Sequence, residues 1–140
     1  MAVSSSVRRV GVSESRVKAA VIAALESERV RDAMISVAFV GKAAIARVNL
    51  RYLRHRGPTD VISFGFASGG ERGAIIGDIY ICADVARTNA RSQGVAASEE
   101  LLRLVVHGTL HVLGYDHPAD EMRMRSPMWR KQEKILARVL

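Results

Sequence analysis

Three of the chain's four histidines fall within the eleven residues "HGTLHVLGYDH", at His107, His111 and His117, with a glycine at Gly114. This is His-x3-His-x2-Gly-x2-His, the ligand spacing of the zinc-protease pattern H-E-x-x-H-x-x-G-x-x-H. An α-helix turns about 100° per residue, so His107 and His111 project from one face, one turn apart. Two imidazoles placed so can meet one ion at about 2.0–2.1 Å, the usual zinc–nitrogen distance. Gly114 lets the chain leave the helix through a left-handed conformation and fold back to present His117. Three protein ligands leave a fourth tetrahedral position for water, the pattern of a catalytic zinc site. The expectation is therefore one Zn2+ per chain, held by His107, His111 and His117, with the zinc-bound water as the catalytic group. Three imidazoles also suit nickel and copper.

Gly108 stands where the protease pattern has its glutamate. A glycine cannot take a proton from water, which argues against peptide hydrolysis by the usual route. Phosphodiester cleavage differs, because a metal and an arginine can together stabilise the charged oxygens. A structural zinc is the bland alternative, but such sites usually have four protein ligands and favour cysteine. Cys82 is the sole cysteine; it reads as a small buried apolar residue, with a role as fourth ligand left open. Asp116, beside His117, either orients a ligand or caps the next turn.

The elements that must position these groups follow from periodicity. Residues 2–10 are a weak first strand. "SESRVKAAVIAALESE" predicts a helix with Ser13 as N-cap and Val17, Ala20, Val21, Ala24 and Leu25 on its inner face. Residues 34–40 are a β-branched run and read as a buried strand. Residues 41–53 return to helical spacing, with Ile45, Val48 and Tyr52 inward. "GPTDVISFGF" turns and then extends, with Ile62, Phe64 and Phe66 on one face. "ASGGERG" predicts a hairpin loop, and 74–83 the return strand, where Gly77 suggests a bulge or a close approach. Residues 84–93 predict a helix ended by Gly94. Ser98 is the expected cap of the histidine helix, with Glu99 and Glu100 complementing its dipole. Ser126 and Pro127 open a final helix with Met128, Gln132, Ile135 and Val139 inward. The sum is an α/β (α+β) fold: residues 1–140 as a single domain, a mixed sheet of about four strands packed with about five helices, and a zincin-like His-x3-His helix.

A chain of 140 residues, 49% hydrophobic and 25% charged, can bury a core without disulfides. The one cysteine fits a reducing compartment. "MAVSSSVRRVGV" lacks the apolar stretch of a secretory signal, and no run reaches the roughly 18 apolar residues of a membrane span. The expected location is therefore cytoplasmic, with no membrane partner. The net charge is +7, and 17 of the 21 basic residues are arginines. That balance favours an anionic partner, against the alternative of a merely solvated basic surface. Arg47, Arg51 and Arg54, spaced by four and three, would line one helix face, with Arg56 just beyond. Arg130, Lys134 and Arg138 make a second stripe. Such stripes are often only solvated, but two of them beside a metal motif favour RNA or DNA. Aromatic residues make up 5% of the chain, so recognition should be led by the backbone rather than by stacking.

"HGTLHVLGYDH" together with "GPTDVISF" resembles the YbeY family of bacterial rRNA maturation factors, which are metal-dependent endoribonucleases. That family's pattern runs P-T-D-V-L-S-F, then G-D-I, then H-G-x-L-H-L-x-G-Y-D-H. Here these segments are Pro58 to Phe64, Gly77 to Ile79 and His107 to His117. The ending "MWRKQEKIL" is also similar. The resemblance implies zinc on His107, His111 and His117. It implies cleavage of single-stranded RNA, processing of the small-subunit rRNA 3′ end and ribosome quality control, with an rRNA precursor and the small ribosomal subunit as partners. A zinc-stabilised assembly factor with little catalysis, or another metallohydrolase, is the alternative. In one place the chain departs from the pattern. The family has asparagine followed three and four residues later by Tyr-Arg; here Asn49 and Tyr52 fit, but Leu53 takes the arginine's place. Arg54 is the candidate substitute, with Arg51 and Arg56 as rivals, and Arg47, Arg51, Arg54 and Arg56 are the expected RNA contacts.

Overall fold

The computed structural model describes residues 2–5, 10–67, 74–115 and 126–140. The expected hairpin loop, Asp116 and His117 lie outside these residues. Among the described residues the order is β1 (Ala2–Ser5), α1 (Glu14–Ser27), β2 (Ala33–Val40), α2 (Lys42–Leu53), β3 (Val61–Ala67), β4 (Ile75–Cys82), α3 (Ala83–Gln93), α4 (Ala97–Val112) and α5 (Pro127–Val139). The four strands form one sheet in the order β1-β2-β4-β3. β1, β2 and β4 run parallel, and β3 is an antiparallel edge strand beside β4. Among the described residues, the expected mixed sheet and five helices are present.

The side chains of β4 divide the core in two, because successive residues of a strand point to opposite faces. Ile79 and Ile81 pack with Leu102, Val105, Val106 and Leu110 of α4 and with α1 and α5. Cys82 turns the other way and joins Ile45 of α2 and Ile62 of β3, with Phe64 and Tyr80 at the margin. Cys82 thus packs on the face of the sheet opposite the one that Ile79 and Ile81 turn to the histidine helix.

Helix α4 is buried along nearly all its length, and glycines let it come so close. A Cβ on Gly108 would sit 2.7 Å from Ile79 Cγ2, and one on Gly65 would sit 2.7 Å from the Val112 carbonyl oxygen. Gly77, paired in register with Gly65, lies under the Val112 side chain. The close approach expected at Gly77 is present, and the β2–β4 and β3–β4 ladders run through it without a bulge.

Several local expectations are corrected. Ser98 does not cap α4. The left-handed Gly94 closes α3, and after a short link Ala96 is the N-cap, its carbonyl accepting from Glu100 N at 3.1 Å. Ser98 therefore falls inside the first turn. Tyr52 is not inward: the face of α2 that reaches the core is set by Ile45 and Asn49. Tyr52 stands at the last turn, over the edge strand, 59% exposed. Arg54 does not extend a helical stripe, because α2 ends at Leu53 and Arg54 is its left-handed C-cap, with φ 56°. Ser126 does cap α5, accepting from Trp129 N at 3.1 Å.

Gly65→Ala should destabilise the fold by about 1–3 kcal/mol, since its new methyl meets backbone that no rotamer change can move. Urea titration of the two proteins side by side measures this; equal midpoints and slopes would show that α4 has room to retreat.

Candidate metal centre

His107 and His111 occupy the C-terminal half of α4, and their rings lie 4.6 Å apart, centroid to centroid, in an edge-on arrangement. The one-turn spacing does bring them to one place. They line a cleft of about 310 Å3 together with Leu53, Thr59, Asp60, Val61, Ile62 and Ser63. The walls are thus the end of α2 and the start of β3. The chain leaves α4 through Leu113 and Gly114, the latter at φ +103°, the left-handed exit that a returning ligand segment requires.

His107 is 5% exposed, and its Nδ1 lies 2.6 Å from Gln132 Oε1, a contact that orients the ring. Gln132, itself 1% exposed, donates from Nε2 to Glu133 Oε2 at 3.1 Å. A carboxylate only accepts, so this bond decides which end of the carboxamide is nitrogen. The oxygen then faces His107, and Nδ1 must carry the proton. Nε2 is left as the nitrogen with a lone pair, the tautomer a metal-ligating histidine needs when its other nitrogen is held by an acceptor.

Behind Glu133 stands Arg103, whose side chain is 13% exposed. Its Nε donates to Glu133 Oε2 at 3.0 Å and its Nη2 to Glu133 Oε1 at 3.1 Å. Glu99 and Glu100 bind the same guanidinium at 3.2 and 3.4 Å. Burial opposes the charge on Arg103, but the Glu133, Glu100 and Glu99 carboxylates together outweigh it and hold its pKa above the usual value. Burial pushes the Glu100 carboxyl up, against the pull of Arg103. Asp60, on the opposite wall, is fixed by Val61 N at 2.8 Å and Asn89 Nδ2 at 3.3 Å. The loop that delivers it is tied to α2 by Asn49 Nδ2, which donates to the Gly57 carbonyl at 3.0 Å.

The donor set fits a borderline metal such as zinc: two imidazoles on one helical face, one of them with its ligating nitrogen selected by a buried hydrogen bond. His117, the third expected ligand, lies outside the described residues. Arg47, Arg51, Arg54 and Arg56 are all exposed and none belongs to the cleft lining, whereas Leu53 does. The position where the resembling pattern has arginine therefore faces the histidines, and this chain fills it with an apolar side chain. Gln132 was legible only as an inward position on α5; its polarity there was the signal that it serves a partner. Asp60 gave no signal beyond its place in "PTDV".

Comparison with known proteins bears on the family and the fold. The sequence profile of the family described as Endoribonuclease YbeY matches residues 4–140. The protein of that name from Chlorobaculum parvum is 39% identical over 105 residues, covering 75% of this chain and 71% of that one. Its counterpart from Chlorobaculum tepidum is 42% identical over 89 residues, 64% of this chain and 63% of that one. That from Chloroherpeton thalassium is 32% identical over 124 residues, 89% and 84% of the two chains. The solution structure of TM1509 from Thermotoga maritima superposes with a TM-score of 0.62 at 27% identity, covering 99% of this chain and 89% of that one.

Gln132→Ala should lower zinc affinity roughly 10- to 100-fold, since it removes the acceptor that sets the His107 tautomer. Gln132→Glu should restore most of it. Competition with a chromophoric chelator measures both; an alanine variant with unchanged affinity would make Gln132 a packing residue only.

Proposed function

Because the chain belongs to the Endoribonuclease YbeY family, we propose that it hydrolyses single-stranded RNA at a zinc centre held by His107, His111 and His117. The supporting observation is the buried His107–Gln132 contact at 2.6 Å, which presets a ligating histidine on a helix where Gly108 stands in place of the protease glutamate. The RNA is an rRNA precursor, cut at the small-subunit 3′ end as part of ribosome maturation and quality control, and the small ribosomal subunit is the partner. The work is cytoplasmic; no helix among the described residues is long and apolar enough to cross a membrane.

When bound, zinc supplies Lewis acidity toward the phosphodiester and lowers the pKa of water to about 7. The chain's own residues supply position and charge. Gln132 and the Glu133–Arg103 pair behind it hold the His107 ring. Gly108 is pressed on Ile79, so the side of α4 that a protease would use for its glutamate is packed against the sheet. Asp60 is fully held by its neighbours and shapes the wall. Arg47 and Arg51, exposed on α2, draw the RNA backbone toward the cleft mouth, in keeping with the +7 net charge. With Leu53 in the lining, Arg54 is the nearest cation in sequence to neutralise the developing charge on phosphate.

Incubating one RNA oligonucleotide, single-stranded and annealed to its complement, with the zinc-loaded protein tests this reading. The single strand should be cut and the duplex spared. A chelator should abolish cutting, and one equivalent of zinc should restore it. Cutting that persists through chelation, or equal cutting of the duplex, would contradict it.

A further inference from the structure

Of the seven aromatic residues in the sequence, the fold gathers three at the sheet's edge. Tyr52, at the end of α2, meets Phe64 of β3 edge-on with centroids 5.4 Å apart, and Phe64 meets Tyr80 of β4 in the same way at 6.3 Å. These three rings line a groove of about 550 Å3 with Ser63, Gly65 and Asp78. Tyr52 is 59% exposed, and the Arg51 guanidinium carbon stands 5.5 Å from its ring centroid. A ring this open, backed by two others and flanked by a cation, is what a stacked base requires.

Two observations say which ligand belongs there. The half-buried Asp78 side chain has no hydrogen bond or ion pair among the described residues. A carboxylate in the groove repels phosphate, so the backbone stays on the basic side by Arg51 and the base enters. The groove also adjoins the histidine cleft: Ser63 of edge strand β3 lines both. One strand of RNA crossing that edge would place a base beside Tyr52 and a phosphate in the cleft.

We propose that this groove is a nucleobase subsite, in which Tyr52 stacks on one base and Asp78 accepts a hydrogen from its exocyclic amine. The inference rests on the RNA-cleaving reading above. A carboxylate only accepts, so cytosine, with its N4 amine, is favoured over uracil, which offers O4 in the same place.

The test is fluorescence anisotropy of zinc-loaded protein with 2′-O-methyl oligocytidine and oligouridine of equal length, which resist cleavage. The two pyrimidines keep stacking similar. Wild type should prefer oligocytidine. Tyr52→Ala should weaken both by about tenfold or more, as expected for one lost stacked base, and Tyr52→Phe should bind as wild type. Asp78→Asn should bind both and lose the preference, because a carboxamide both donates and accepts. An unaltered Tyr52→Ala, or no cytidine preference in wild type, would overturn the proposal. Cleavage of unmodified RNA by wild type is scored alongside. Cutting without these binding effects removes the groove and leaves the nuclease; these binding effects without cutting do the reverse.

Discussion

Everything at the site depends on how near α4 lies to the sheet. The helix can rest on β3 and β4 only because residues 65, 77 and 108 carry no side chain. That approach lets a 16-residue helix be almost wholly buried, with each large aliphatic residue adding about 1.5–3 kcal/mol. It also sets the rotation of the helix. With Gly108 turned to Ile79, His107 and His111 are turned to the cleft between the end of α2 and the start of β3. One constraint thus explains both the facing of the histidine pair and the absence of the protease glutamate: a carboxylate at 108 would have to share space with the core.

Much of this was readable in advance. The inner faces of α1 and α5, the return strand β4, the Ser13 and Ser126 caps and the left-handed Gly94 and Gly114 all follow from local rules, and local rules govern elements packed on one side. What escaped is tertiary. Tyr52 has helical spacing for burial, but α2 reaches the edge of the sheet there. Ser98 has the chemistry of a cap, but the short link after Gly94 starts the helix earlier. Gln132 looks like any inward residue until α5 is laid across α4 and its carboxamide meets His107. The aromatic groove combines residues 52, 64 and 80, which no sequence period joins.

Charge is distributed in a way that suits a nucleic-acid substrate. Around Arg103 the acids Glu99, Glu100 and Glu133 are in excess, and this interior network anchors the helix pair that carries His107. Among the described residues, exposed cations line α2 (Lys42, Arg47, Arg51) and α5 (Arg130, Lys134, Arg138). Phosphate is attracted at the surface and the site itself is held by a self-satisfied network, so removing a surface arginine and removing Glu133 should act on different steps.

The most direct measurement is single-turnover cleavage of single-stranded RNA by His111→Ala, with metal content determined on the same sample. Loss of the second imidazole from the helix face should leave the metal well below one per chain and cutting at background, with the fold retained. A His111→Ala protein that keeps a full equivalent of zinc and cuts RNA at the wild-type rate would contradict the account.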